Sequence, residues 1–95
     1  MGTYIILSKV STEAFQDPKD FKKLAEAVIA KTNAECPGVT FKASYTTLGR
    51  WDIVDIVEAD DPRDVQKVAM YIRGYAHSDT ETLVAMSWEE LLASL

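Results

Sequence analysis

The apolar positions Phe21, Leu24, Ala25, Val28, Ile29 and Thr32 recur with a 3.6-residue period, which lays one stripe along a helix. Asp17-Pro18-Lys19-Asp20 opens that helix: Asp17 can accept a bond from an orphan amide, Pro18 suits the first helical position, and the acids favour the positive end of the dipole. Pro37-Gly38 closes it. From Val39 the period becomes two. Val39, Phe41, Ala43 and Tyr45 alternate with Thr40, Lys42, Ser44 and Thr46, the pattern of a strand buried on one face. Gly49-Arg50 makes a turn, and Trp51 to Glu58 is a second strand-favouring run, so Val39 to Glu58 is predicted as an antiparallel hairpin. Asp61-Pro62-Arg63-Asp64 then starts a second helix with Val65, Val68, Ala69 and Ile72 as its stripe and Gly74 near its end. A strand over Thr3 to Lys9 precedes all of this. Another over Thr80 to Met86 follows it, and Ser87-Trp88-Glu89-Glu90 is a capping box that opens a short helix through Leu91, Leu92 and Leu95.

The resulting order is β-α-β-β-α-β with a helical tail. It predicts an α+β, ferredoxin-like split βαβ sandwich: a four-stranded antiparallel sheet with both helices on one face. The segments DPKDFKKLAEAV and DPRDVQKVAMYI share Asp, Pro, Asp, Lys and Ala at equivalent places. Either the halves repeat one unit, or two helices use the same start signal.

One sheet face is then left without helices. In the second hairpin strand Asp52, Val54, Ile56 and Glu58 point one way and Trp51, Ile53, Asp55 and Val57 the other. The first strand likewise sets Tyr4 and Ile6 against Ile5 and Leu7. Both faces carry large apolar groups, and an exposed set of that kind marks an interface. The expectation is self-association through the sheet, as a homodimer or higher homo-oligomer, with Ile53, Asp55 and Val57 on the uncovered face.

Length sharpens that expectation. Ninety-five residues fit one domain over residues 1–95, and a chain this short buries only about 60–65% of its unfolded surface. The net charge of −5, with 15 acidic against 10 basic residues, disfavours nucleic acid and anionic membrane as partners, because either would need clustered Lys and Arg. No apolar run approaches the ~20 residues of a membrane span. The start shows no basic segment or small-residue cleavage site. The single Cys36 excludes an intrachain disulfide and suits a reducing compartment, so the expected location is cytoplasmic.

Candidate chemistry is sparse. Cys36 and His77 alone cannot supply the three or four nitrogen and sulfur ligands of a usual zinc site, and no glycine-rich phosphate loop or nucleophile elbow is present. No metal or cofactor is expected. His77, between the second helix and the last strand, is the one side chain of a type whose unperturbed pKa lies near neutrality and is one candidate for proton transfer, against the plainer reading of a solvated loop residue. Asp55 is another. It interrupts an apolar face between Ile53 and Val57, where a carboxylate is costly unless paired or raised in pKa. Its plainer readings are an intersubunit ion pair or a solvated rim. Glu81 reads as a solvent-facing carboxylate at a strand start, and Tyr4, Tyr45, Tyr71 and Tyr75 as core and interface fillers able to line a cavity. The candidate ligand-binding set is Tyr4, Arg50, Trp51 and Asp55.

Thr47-Leu48-Gly49-Arg50-Trp51-Asp52, followed by Ile53 to Val57 and Glu58-Ala59-Asp60-Asp61, resembles the GYD-domain family, named for a Gly-Tyr-Asp-like signature at this turn. The opening Thr3-Tyr4-Ile5-Ile6-Leu7-Ser8-Lys9 and Thr80-Glu81-Thr82-Leu83 resemble that family's outer strands. Here Trp51 stands for the tyrosine, Arg50 separates it from Gly49, and Asp55 occupies an expected apolar position. The resemblance implies a ferredoxin-like fold of the dimeric α/β-barrel type and no settled activity, so it transfers no catalytic residue. Physically the signature has folding roles: Gly49 permits a positive backbone angle, Trp51 anchors the turn, and Asp52 accepts amide bonds near the strand start.

Two functions fit. One is a homo-oligomeric module that binds a small molecule or a protein. The other is a cofactor-independent enzyme acting on a small organic acid or aromatic compound, with Asp55 or His77 in proton transfer. Asp55 separates them: a pocket position within reach of His77, Arg50 or a tyrosine favours the enzyme.

Overall fold

A computed structural model describes residues 1–95, and its elements follow the start and stop signals closely. They are β1 (Gly2–Val10), α1 (Pro18–Glu35), β2 (Val39–Thr46), β3 (Ile53–Ala59), α2 (Pro62–Tyr75), β4 (Ser78–Ala85) and α3 (Trp88–Ser94). The two long helices begin in the same way. The Asp17 carboxylate accepts from the Lys19 amide at 2.9 Å and the Asp61 carboxylate from the Arg63 amide at 2.9 Å, each with proline next in the chain. Ser87 caps α3 by accepting from the Glu90 amide at 3.1 Å. No helix is long and apolar enough to cross a membrane.

The strands form one antiparallel sheet in the order β2-β3-β1-β4, with β1 and β3 central, and the architecture is the ferredoxin-like α+β sandwich expected from the element order. All four residues of the α2 stripe, Val65, Val68, Ala69 and Ile72, are buried. Val65, Val68 and Ile72 meet Tyr4 and Ile6 of β1 and Val57 and Ala59 of β3 in the core.

Three expectations are corrected by the packing. First, Asp55 and Val57 lie beneath the helices rather than on the uncovered face: Val57 is fully buried and Asp55 nearly so, and Ile53 lines a hollow on the same side. The open face instead carries Ile5, Leu7, Val54, Ile56 and Leu83. A period of two separates the sets but carries no information about which one the helices cover.

Second, β2 does not bury one regular face. Its pairing with β3 shifts between Phe41 and Ala43, so Lys42 is an extra, bulged residue. Val39 and Phe41 stand opposite Ala59 and Val57 on the helix side, while Ala43 and Tyr45 stand opposite Ile56 and Val54 on the open side. Ser44 is thereby turned towards Asp55.

Third, the α1 stripe is only partly core. Val28 and Thr32 are buried, but Phe21, Leu24 and Ala25 are half-buried and Ile29 is exposed. The helix leans on α2 and stands off the strands, which leaves space beneath it. At the chain's end, α3 has no buried residue, and Trp88, Leu91, Leu92 and Leu95 all face solvent. The radius of gyration, 14.0 Å, exceeds the roughly 12 Å of a compact chain of this length, as a protruding tail requires.

Candidate functional site

The space under α1 is a cavity of about 350 Å³ with an apolar roof and a partly polar floor. Phe21, Leu24 and Val28 of α1 form the roof, and Ile72 of α2 closes the inner side. The floor is the helix-side face of the sheet, where Ser8, Ser44 and Asp55 are presented by three neighbouring strands, β1, β2 and β3. The volume lies at the small end of the ~300–1,000 Å³ range of ligand pockets, and convergence of a few polar groups in apolar walls is their usual character.

Asp55 is the electrostatic centre of this floor. Burial pushes its carboxyl pKa up, and the Ser44 hydroxyl, donating to its Oδ1 at 2.6 Å, opposes part of that rise. No lysine, arginine or histidine lines the cavity. Ser8 is fully buried, and its Oγ has no hydrogen-bond partner. Such an orphan hydroxyl costs about 1–3 kcal/mol unless something in the cavity meets it. The other buried hydroxyls are satisfied locally, Thr32 by the Ile29 carbonyl at 3.1 Å and Ser78 by the Ala76 carbonyl at 3.0 Å.

Of the residues singled out from sequence, only Asp55 reaches the cavity floor as a charged group. His77 is exposed in a left-handed conformation (φ 49°), and only its neighbours Ala76 and Ser78 line the hollow; its carbonyl accepts from the Ser11 amide at 3.0 Å. The Arg50 guanidinium lies over the Trp51 ring at 5.9 Å, in the turn between β2 and β3. Tyr4 is part of the core. Tyr45 is exposed at the cavity's edge. Glu81 is exposed on β4. Tyr71 and Tyr75 stack at 5.8 Å beside a larger hollow of about 560 Å³ that α2 alone lines, so it is relief on one helix surface rather than an enclosure. Cys36 is buried, and burial raises its thiol pKa, which suits a packing role.

Ser8 and Ser44 were not legible as site residues. A bulge has no strong sequence signal when the inserted residue is a lysine, and without it Ser44 would face the open side. Ser8 carries no signal of its own.

Comparison with known proteins bears on the whole chain. The family model described as GYD domain matches residues 4–95. A protein of Thermus thermophilus named glutamine synthetase and cystathionine beta-lyase binding protein is 27% identical over 99 residues, spanning 100% of this chain and 99% of that one. Among solved structures, a Thermus thermophilus protein superposes with a TM-score of 0.56 at 24% identity, covering 92% of this chain and 95% of its own. The Mycobacterium tuberculosis leucine response regulatory protein superposes with a TM-score of 0.58 at 15% identity; the match covers 90% of this chain but only 51% of that protein. Likeness to these two structures concerns the fold.

Proposed function

The chain belongs to the GYD domain family, and from that premise we propose that it is a self-associating binding domain whose partner on the open sheet face is a second copy of itself. The observation that carries the reading is a cross-strand block of apolar side chains. Leu83, Ile5 and Ile56 form one row across three strands, and Leu7 and Val54 form the next. Glu58 and Glu81 flank the block. An apolar centre with a charged rim is the anatomy of a protein interface.

Size supports the inclusion of the C-terminal arm. Four strands spaced ~4.8 Å, each about seven residues long and rising ~3.3 Å per residue, span roughly 19 by 23 Å. That is about half of the ~800 Å² each partner contributes to a standard interface. The exposed Trp88, Leu91 and Leu92 of α3 and Leu95 just after it, next in the chain to edge strand β4, supply further apolar area. The name of the Thermus relative describes a protein that binds two enzymes, which supports binding rather than turnover and adds protein partners to the reading. The unpaired Cys36 fits a reducing cytoplasm.

Light scattering on the purified chain tests this. A mass of two or more chains at micromolar concentration is expected, and a stable one-chain mass overturns it.

Asp55 favours one further reading, a cofactor-independent enzyme acting on a small organic acid or aromatic compound. Its buried carboxyl, raised in pKa, has the character of a general acid or base. His77 lies outside the cavity lining, so Asp55 would act with hydroxyl groups alone. Turnover in a metabolite screen that disappears in Asp55→Asn would establish this reading; turnover that survives the substitution would remove it.

A further inference from the structure

We propose that the cavity under α1 is a binding site for a small organic amine, with the ammonium group held by Asp55 and Ser8 and the apolar body under Phe21, Leu24 and Val28. The site is separate from the open sheet face.

The first support is the state of the apolar stripe. Phe21 meets the Phe15 ring at 5.3 Å and Leu24 packs against the core, but both also line the hollow and are only half-buried, so the part of each side chain that faces the hollow lacks the close neighbours that dispersion requires. An apolar ligand body supplies those neighbours. The hollow, about 350 Å³, has the volume of about twelve waters at ~30 Å³ each, enough for one ring and a short chain.

The second support is the floor. Ser8 Oγ is fully buried and unpartnered. Asp55 meets a single donor, the Ser44 hydroxyl, whereas a carboxylate offers about four acceptor sites. Ser8 pairs with Ile53, two residues along β3 from Asp55 and on the same face. Diagonal positions of that kind lie about 7–8 Å apart along the backbone. One nitrogen about 2.8 Å from each oxygen spans up to about 5.6 Å, which bridges such a gap when the two side chains lean towards one another. An ammonium brings three donors, and the two Asp55 oxygens and the Ser8 hydroxyl are three acceptors.

Charge selects the amine over other heads. The cavity lining includes one acidic side chain and no basic one. A carboxylate or phosphate ligand would face Asp55 without a counter-charge, and a neutral alcohol would leave the buried carboxylate uncompensated. A cation resolves both.

Calorimetry and amide-resolved NMR with three probes of one shape test the proposal: 2-phenylethylamine, 2-phenylethanol and 3-phenylpropionate. The amine should bind saturably at one per chain, at least tenfold tighter than the alcohol, with the propionate undetectable and shifts centred on Ser8, Ser44 and Asp55. Asp55→Asn should weaken the amine tenfold or more, and Ser8→Ala about threefold to tenfold. If Asp55→Asn fails to fold, Ser8→Ala and the cavity-filling Leu24→Trp give the same reading, the latter by blocking all binding. An alcohol or propionate that binds as tightly as the amine overturns the amine assignment. Absence of saturable amine binding to the wild-type chain overturns the site. Neither result alters the native mass, so failure here is distinguishable from failure of the sheet-face oligomer.

Discussion

The Asp52 carboxylate accepts a hydrogen bond from the Val10 backbone amide at 2.8 Å, tying the turn between β2 and β3 to the far end of β1. The same residue's amide donates to the Ser8 carbonyl at 2.9 Å, and its carbonyl accepts from the Thr47 amide at 2.9 Å. One aspartate therefore closes the turn on itself and anchors it to a central strand, which is why Trp51 and Asp52 belong to the turn and β3 begins at Ile53. Asp52→Ala leaves the partly buried Val10 donor unmet and should cost about 1.5–3 kcal/mol by urea unfolding. Asp52→Asn retains an acceptor and should cost less.

Gly49 and Gly74 should respond to alanine in opposite directions. Gly49 sits at φ +132°, where a side chain is strained although nothing lies within 4 Å of its would-be Cβ. Gly49→Ala should destabilise by about 1–3 kcal/mol. Gly74 is helical, with open space around it. Gly74→Ala should stabilise by up to about 0.5–1 kcal/mol, since alanine has less backbone entropy to lose. Chemical denaturation of the two variants checks both signs.

Asp55→Asn should raise the melting temperature at pH 7. Burial raises the folded-state pKa of Asp55 above its unfolded value. The folded chain therefore holds the proton more tightly, and this residue's contribution to stability declines as pH rises from about 4 through the folded pKa. Above that pKa the cost is constant, and asparagine removes it while keeping an acceptor for Ser44. The advantage of the variant should shrink as pH falls and vanish below about 4. Melting curves from pH 3 to 8 test this, and an advantage independent of pH would contradict it.

Within a protomer, the core and the C-terminal arm should differ sharply in sensitivity. Ile6 is fully buried at the centre of the sheet, and Ile6→Ala should cost about 2–5 kcal/mol. Leu92 is 52% exposed, and Leu92→Ala should change monomer stability by no more than about 0.5 kcal/mol. A larger loss that depends on protein concentration would place α3 in the oligomer contact.

Ile56→Glu places a charge in the middle of the open face. It should reduce the light-scattering mass to that of one chain, 10.6 kDa, while the far-ultraviolet circular dichroism is retained. An unchanged oligomer would place the self-contact elsewhere.

Local physics made most of the fold readable. Aspartate-proline starts, a 3.6-residue stripe and β-branched runs are short-range signals, and they located both long helices to within a residue or two and all four strands approximately. The same signals singled out Asp55 as a charge among apolar neighbours. They were silent on what depends on non-local contacts. Both faces of β1 and β3 are apolar, so only helix packing decided that Asp55 faces the interior and that Val54 and Ile56 stay uncovered. Only the pairing of β2 with β3 revealed the bulge at Lys42 that turns Ser44 onto Asp55. Only the lean of α1 on α2 turned a predicted core stripe into a cavity roof. Periodicity determines which side chains share a face, whereas the partner a face meets is settled by chain segments distant in sequence.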